Sequence, residues 1–287
     1  MYTQTFETSK KRKISVSGVL RLLSVSTSGY YSWKNRTPSK QAERKKKITE
    51  EIVQIYNESK QIYGAPKITT ILNARGYKIA EKTVGNYIRE AGIKAIWVSS
   101  YIKTTIDPDF DSKLKNILAR QFNPSRPNSV WVTDITYVYT IEGFAYLISI
   151  MDLFSRKIIG WHISNSLCTS GVIKAIQKAK ISRKIDEPVI IHSDRGCQYI
   201  SDAYIAETPS SSFIRSYSAK ATPWDNACIE SFHALIKREW LNRFVIKHIN
   251  HAHKLVFEYI ECFYNTTRIH SHCNMMSPHD FENNIAI

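Results

Sequence analysis

The stretch PVIIHSDRGCQY, residues 188–199, decides how this chain is read. Pro188 opens a run of apolar residues and Gly196 closes it, which is the form of a short buried strand bounded by turn residues. Near the end of that run stands Asp194. In open α/β sheets ligands bind outside the carboxyl ends of the parallel strands, so an acid placed there is a candidate for chemistry rather than solvation. One acid decides nothing, and its weight depends on partners elsewhere.

Upstream, NSVWVTDITYVYT, FAYLISIMDLF and KIIGWHISNS are three runs rich in Val, Ile, Tyr and Trp, joined at Glu142-Gly143 and Ser155-Arg156-Lys157. Connections this short require antiparallel hairpins. A helix is expected over about 170–180, then the Pro188 strand lying parallel to the first, then two more helical stretches. The class is α/β: a mixed sheet flanked by helices.

Inside the first strand, WVTDITYVY, Asp134 interrupts an apolar and β-branched run, which is costly unless the acid is paired or bound to a cation. If this strand neighbours the Pro188 strand, Asp134 and Asp194 lie side by side. A third acid sits in TPWDNACIESFHALIKREWL, residues 222–241. Here Asp225-Asn226 are expected to cap a helix whose buried stripe is Ile229, Phe232, Leu235, Ile236 and Trp240. Glu230 flanks the stripe, and Lys237, seven residues on, projects from the same side.

Three carboxylates brought together repel one another unless a cation is present, and hard oxygen ligands suit Mg²⁺ or Mn²⁺. Two such ions, about 3.5–4 Å apart, activate the attacking oxygen of a phosphodiester exchange and stabilise the leaving one. Lys237 then reads as a phosphate contact holding a DNA end in line. Asp152, at the end of the second strand, reads as a structural or turn acid. The group His248, His251, His253, His270, His272, Cys262 and Cys273 fits no standard zinc spacing; polar helix faces and phosphate contacts are the plainer reading. Trp224, just before the third acid's helix, is open to more than one reading: stacking on an unpaired base, core packing or a hydrophobic staple.

The net charge of +15 points to a polyanion, and its distribution is uneven: residues 1–107 carry 20 Lys and Arg against 8 Asp and Glu, the remainder 20 against 17. The basic third is helical in pattern. Val16, Val19, Leu20, Leu23 and Val25 are spaced as a short helix, Ser26-Thr27-Ser28-Gly29 breaks it, and Tyr30 to Trp33 restart it. A helix near 41–58 and a pair over 66–74 and 81–90, joined through Gly76, form a second helix-turn-helix pattern. On its last helix Lys82, Thr83, Asn86 and Arg89 face a DNA groove. The expected domains are a short helix-turn-helix-like segment (1–40), a DNA-binding domain (41–100), a linker (101–127) and a catalytic domain with a helical tail (128–287). Five cysteines without a CxxC pair read as free thiols. No run is apolar enough to span a membrane, and the reading is of a cytoplasmic, nucleoid-associated protein.

WVTDITY, HSDRGCQY, DNACIESFHALIKRE, and the later YNTTRIH and SPHDF together resemble the catalytic block of bacterial insertion-sequence transposases related to retroviral integrases. In particular they resemble the second-reading-frame product of the insertion-sequence-three family. Between Asp194 and Glu230 lie 35 residues, the spacing for which the Asp, Asp-35-Glu group is named. The resemblance covers about residues 14–281. It implies a ribonuclease-H-like fold, two divalent ions held by Asp134, Asp194 and Glu230, and a DNA contact at Lys237. It also implies two reactions, cleavage at the element's ends and transfer of the 3′-hydroxyl into target DNA. Tyr264, Asn265, Arg268 and His270 match the family's YN-x-x-R-x-H element, read as support for the catalytic helix or, at Arg268, as a nucleic-acid contact. Expected partners are double-stranded DNA at element ends and target, the upstream-frame product or a fusion to it, and further copies of the chain on DNA. The alternatives are a catalytically silent regulator derived from a mobile element and a nuclease that cuts without joining.

Overall fold

The structure, a computed structural model, describes residues 15–35, 37–95, 114–219 and 222–285. The basic opening, residues 1–14, and the linker positions 101–113 lie outside the described residues. The chain forms two compact units, Met1–Val53 and Gln54–Ile287.

In the first unit α1 (Val16–Leu22) and α2 (Thr27–Lys34) are followed by α3 (Lys40–Glu58), which runs on into the second unit. The turn between α1 and α2 falls at 23–26, earlier than the sequence pattern suggests. Ser24 takes a left-handed conformation there, and the Ser26 side chain accepts from the Gly29 amide, so Thr27, Ser28 and Gly29 open the second helix instead of breaking the first. Leu20 is buried, whereas Leu22, Leu23 and Trp33 remain exposed.

The second unit begins with the end of α3, then α4 (Ala65–Ala74) and α5 (Glu81–Glu90). Gly76, at φ +89°, takes the left-handed turn that ends α4. Ile68 and Leu72 of α4 and Val84 of α5 are fully buried, which leaves the opposite face of α5 to solvent.

The remainder is a five-stranded sheet in the order β3-β2-β1-β4-β5. β1 (Val130–Thr140), β2 (Gly143–Asp152) and β3 (Ile158–Ser164) form the expected antiparallel meander. After α6 (Thr169–Ser182), β4 (Val189–Ser193) returns parallel to β1, as its apolar run predicts. The short helices α7 (Cys197–Ile200) and α8 (Asp202–Glu207) lead to β5 (Phe213–Tyr217), parallel to β4. β5 was not expected; five residues with polar neighbours carry too little pattern to announce a strand. A 3₁₀ turn, Pro223–Asn226, introduces α9 (Ala227–Glu239); α10 (Ile249–Tyr259) continues into a π-helical turn, Ile260–Tyr264, and α11 (Pro278–Ile285) follows.

Side-chain alternation along the strands gives the sheet two apolar faces. One carries Trp131, Ile148, Ile150 and Ile159 against Val172, Ala175, Ile176 and Ala179 of α6. On the other, α9 packs on β1 and β2 and α10 on β3. The approach of α6 to β3 depends on a missing side chain: a Cβ at Gly160 would stand 2.5 Å from the Ala175 carbonyl oxygen and 2.9 Å from Ala179 Cβ. Gly160→Ala is therefore expected to destabilise the fold by about 1–3 kcal/mol, read as a lowered midpoint in denaturant unfolding. An unchanged midpoint would refute the close approach.

Candidate active site

β1 and β4 pair only over Val130–Ile190, Trp131–Ile191 and Val132–His192. Asp134 and Asp194 each lie two residues beyond the last of these pairs, so parallel pairing brings both to the same end of the β1–β4 ladder, where these two strands part. Asp134 is half-buried and Asp194 exposed. Asp194 Oδ1 accepts from the Gly196 amide at 3.0 Å, which turns the carboxylate back over the start of α7. Glu230, in the first turn of α9, completes the group. Burial pushes its carboxyl up to about 7, and the charges of Asp134 and Asp194 push the same way. Three acids thus share one electrostatic environment. Among the described residues no three His, Cys, Asp or Glu side chains stand close enough to hold an ion in common.

The expected cap of α9 is replaced by something stronger. Asp225 is buried and accepts from Asn116 Nδ2 at 2.8 Å, Arg120 Nε at 2.6 Å and the Ala219 amide at 2.9 Å. The Asn226 side chain makes no cap bond; its Nδ2 donates to the Thr133 carbonyl, one residue before Asp134. The helix start is thereby tied to the strand that carries the first acid. Of the expected stripe, Ile229, Phe232, Ile236 and Trp240 are buried while Leu235 is half-buried. His233, unremarked in the sequence reading, is buried between Asp134 Oδ2 (Nδ1, 3.3 Å) and Ser149 Oγ (Nε2, 3.2 Å). The signal was present as Glu230, His233 and Lys237, an i, i+3, i+7 series on one helical face. Lys237 Nζ lies 4.1 Å over the Tyr137 ring; burial lowers its pKa, while Asp134 raises it.

At its other end α9 is clamped. Glu239 accepts two bonds from Arg268 (2.8 and 2.6 Å) and one from Tyr259 Oη (2.7 Å), all buried. The expectation of Arg268 as a nucleic-acid contact is thus corrected: its guanidinium is spent on Glu239 and His270, and the residue is 6% exposed. The rest of the YN-x-x-R-x-H element has matching uses. Tyr264 Oη donates to the Arg156 carbonyl, and the Asn265 amide pairs with both backbone groups of Ile158 at the β3 edge. From α3–α4, the Tyr63 hydroxyl accepts from the Ile269 amide and Lys60 lies over the Trp240 ring. Burial, with Arg268 nearby, lowers the Lys67 pKa to about 8.

Asp152 is structural, as expected: fully buried, it accepts from the amides of Asn128 and Phe154. The tail histidines and cysteines have separate uses: His248 caps α10, His253 stacks on Trp161, His272 bonds the Phe154 carbonyl, and Cys273 Sγ donates to the Ser155 carbonyl. Trp224 is 59% exposed, which removes core packing as its role. On α5, Lys82, Asn86 and Arg89 are exposed on the face turned away from Val84, and Thr83 is half-buried at its flank.

The integrase core domain family matches residues 124–252, a further integrase core domain family matches 230–285, and an HTH-like domain family matches 43–101. Transposase InsF for insertion sequence IS3A of Escherichia coli (strain K12) is 37% identical over 275 residues, covering 94% of this chain and 95% of that protein. The chain belongs to the IS3 family of insertion-sequence transposases. The transposase for insertion sequence element IS904 of Lactococcus lactis is 34% identical to it over 248 residues, covering 86% of this chain and 98% of the relative. Among solved structures, the transposase is similar to a chain of a simian T-cell lymphotropic virus intasome in complex with PP2A regulatory subunit B56 gamma. The TM-score is 0.46 at 14% identity, over 80% of this chain and 74% of that one. It is also similar to the HTLV-2 integrase catalytic core domain in complex with magnesium, at TM-score 0.42 and 17% identity over 55% and 98%.

Two outcomes follow for the transposase. Arg268→Ala leaves Glu239 buried without its partner and is expected to cost about 3–5 kcal/mol of stability, measured by denaturant unfolding; a stable variant with weakened DNA binding would reverse the assignment. Burial raises the Asp152 carboxyl to about 6, against the pull of its two amides and Arg183. The folded chain therefore holds that proton more tightly than the unfolded chain, and the associated stability is lost as pH rises from about 4 to 6. Asp152→Asn should flatten the pH dependence of Tm in that window, and an unaltered slope would contradict it.

Proposed function

We propose that this transposase cuts DNA at the ends of its element and joins the freed 3′-hydroxyl to target DNA, with Asp134, Asp194 and Glu230 as the ligands of two Mg²⁺ or Mn²⁺ ions. The observation that carries the reading is the β1–β4 register, which sets two acids side by side, each two residues past the last pair, with Glu230 of α9 close enough to feel both charges. An all-oxygen donor set with three negative charges fits a hard divalent cation and gains from one. When bound, such ions supply the Lewis acidity that activates the attacking oxygen and steadies the leaving one.

The chain's own residues do the rest. Lys237, half-buried beside Tyr137, offers an ammonium to a phosphate of the DNA end and holds it in line with the attack. Water and a 3′-hydroxyl are both small oxygen nucleophiles, so one centre serves cutting and joining. Lys82, Thr83, Asn86 and Arg89 form the groove-facing stripe of α5, and residues 41–100 act as the DNA-holding domain ahead of a catalytic domain over 128–287. Trp224, exposed just ahead of α9, presents a stacking surface for an unpaired base. The upstream-frame product and further copies of the chain are the expected protein partners on DNA. Among the described residues no helix is long and apolar enough to cross a membrane.

The test is a labelled duplex bearing the element's end with flanking DNA, in Mg²⁺ or Mn²⁺, with the chain alone and fused to the upstream frame. Cutting and joining should require the metal and disappear in Glu230→Gln with DNA binding kept, while Lys237→Ala should weaken end engagement. Cutting without joining would favour a nuclease, and binding without chemistry in every form a regulator. Lys82→Ala and Arg89→Ala should each weaken DNA binding and flatten its salt dependence by about one unit of slope. Unchanged slopes would move the DNA face elsewhere.

A further inference from the structure

We infer that His233 is a positioning residue for Asp134: it fixes the rotamer of that carboxylate and leaves Oδ1 presented to an ion. The inference rests on the reading of Asp134 as an ion ligand. A buried histidine on a helix is most often satisfied by backbone or packed as part of a core. Here both ring nitrogens go to side chains, and those two side chains are register partners: Asp134 and Ser149 face each other across β1 and β2. The ring closes a bridge over that pair, with Nδ1 3.3 Å from Asp134 Oδ2 and Nε2 3.2 Å from Ser149 Oγ. His233 and Ser149 are buried, and the Asp134 side chain is 19% exposed.

The partners decide the proton's place. A carboxylate accepts, so Nδ1 is the donor to Asp134 Oδ2, and the Ser149 hydroxyl, which can donate or accept, meets Nε2. Each contact fixes the next: the β1–β2 register fixes Ser149, Ser149 fixes the ring, and the ring fixes Oδ2. Groups that hydrogen-bond a ligating carboxylate orient it and tune its basicity, and their loss typically lowers metal affinity about 10–100-fold. Because His233 is on the same turn-to-turn face as Glu230, three residues away, the bond also sets the distance from the helix-borne acid to the strand-borne one. Asn226, bonded to the Thr133 carbonyl, holds the helix start; His233 holds its middle on the adjacent residue.

The experiment is a Mn²⁺ titration of the full chain without DNA, following the free ion by paramagnetic resonance, for wild type, Asp134→Asn, His233→Leu, His233→Asn and Ser149→Ala, each checked by thermal unfolding. Wild type should bind and Asp134→Asn should lose most of that binding. His233→Leu should weaken it about tenfold. His233→Asn, whose amide nitrogen falls near the place of Nδ1, should recover much of the loss even where Tm stays lowered. Ser149→Ala should show a smaller weakening, and it serves as the deciding variant if His233→Leu does not fold. A dependence of Tm but not of Mn²⁺ affinity on residues 233 and 149, with Asp134→Asn still defective, would overturn the positioning role and leave the site reading intact. Mn²⁺ affinity indifferent to Asp134→Asn would bring down the site reading and this inference together.

Discussion

Three residue pairs of parallel strand, Val130–Ile190 to Val132–His192, are the constraint on which the rest depends. Two acids held near each other are destabilised by mutual repulsion and desolvation, and nothing about their own chemistry would bring them together. The apolar burial of the sheet does so: Trp131, Val189 and Ile191 are fully buried, and their pairing leaves the following residues no freedom but to emerge side by side. Parting of β1 from β4 just beyond the pairs then opens the space that the acids line.

The third acid has no such strand to fix it and is supplied by a helix, so the helix must be fixed. α9 is held at three levels: Asn226 to the Thr133 carbonyl, His233 to Asp134 and Ser149, and Glu239 to Arg268 and Tyr259. The last of these is a buried ion pair, in which the close two-bond contact with Arg268 and the Tyr259 hydroxyl offset the cost of taking Glu239 out of water. It also gathers the segments that surround it. Tyr63, from the helical segment before the sheet, and Ile269, from the tail, meet beside it, so the residues that set α9 are drawn from widely separated parts of the sequence.

Much of this was legible. Continuous Val- and Ile-rich runs with two-residue and three-residue connections allowed only antiparallel hairpins, and an acid ending a Pro-to-Gly bounded apolar run marked a strand tip. The 35-residue interval between Asp194 and Glu230, with Lys237 seven residues on, carried the family resemblance. What escaped was short or reciprocal. β5 is five residues with little alternation. Asp225 looked like a cap because Asp-Asn before an apolar stripe is a helix-start signal, yet its partners, Asn116 and Arg120, lie more than a hundred residues away.

The sequence by itself determined the alternation of strands and helices, the two-faced sheet, the placing of the acids on the first strand, at the end of the Pro188 strand and at a helix start, and the basic helical region, because periodicity and turn chemistry are local. Tertiary structure alone decided which polar residues turn inward. Arg268, just after a helical turn, and Lys82, in the first turn of α5, are both basic residues, and only the presence of Glu239 on α9 and Tyr259 on α10 makes the first a buried clamp while the second stays exposed. His233 is likewise one histidine among nine until β1 and β2 set Asp134 opposite Ser149. A hydrogen bond between distant side chains depends on where two backbones meet, and that is settled by packing rather than by local spacing.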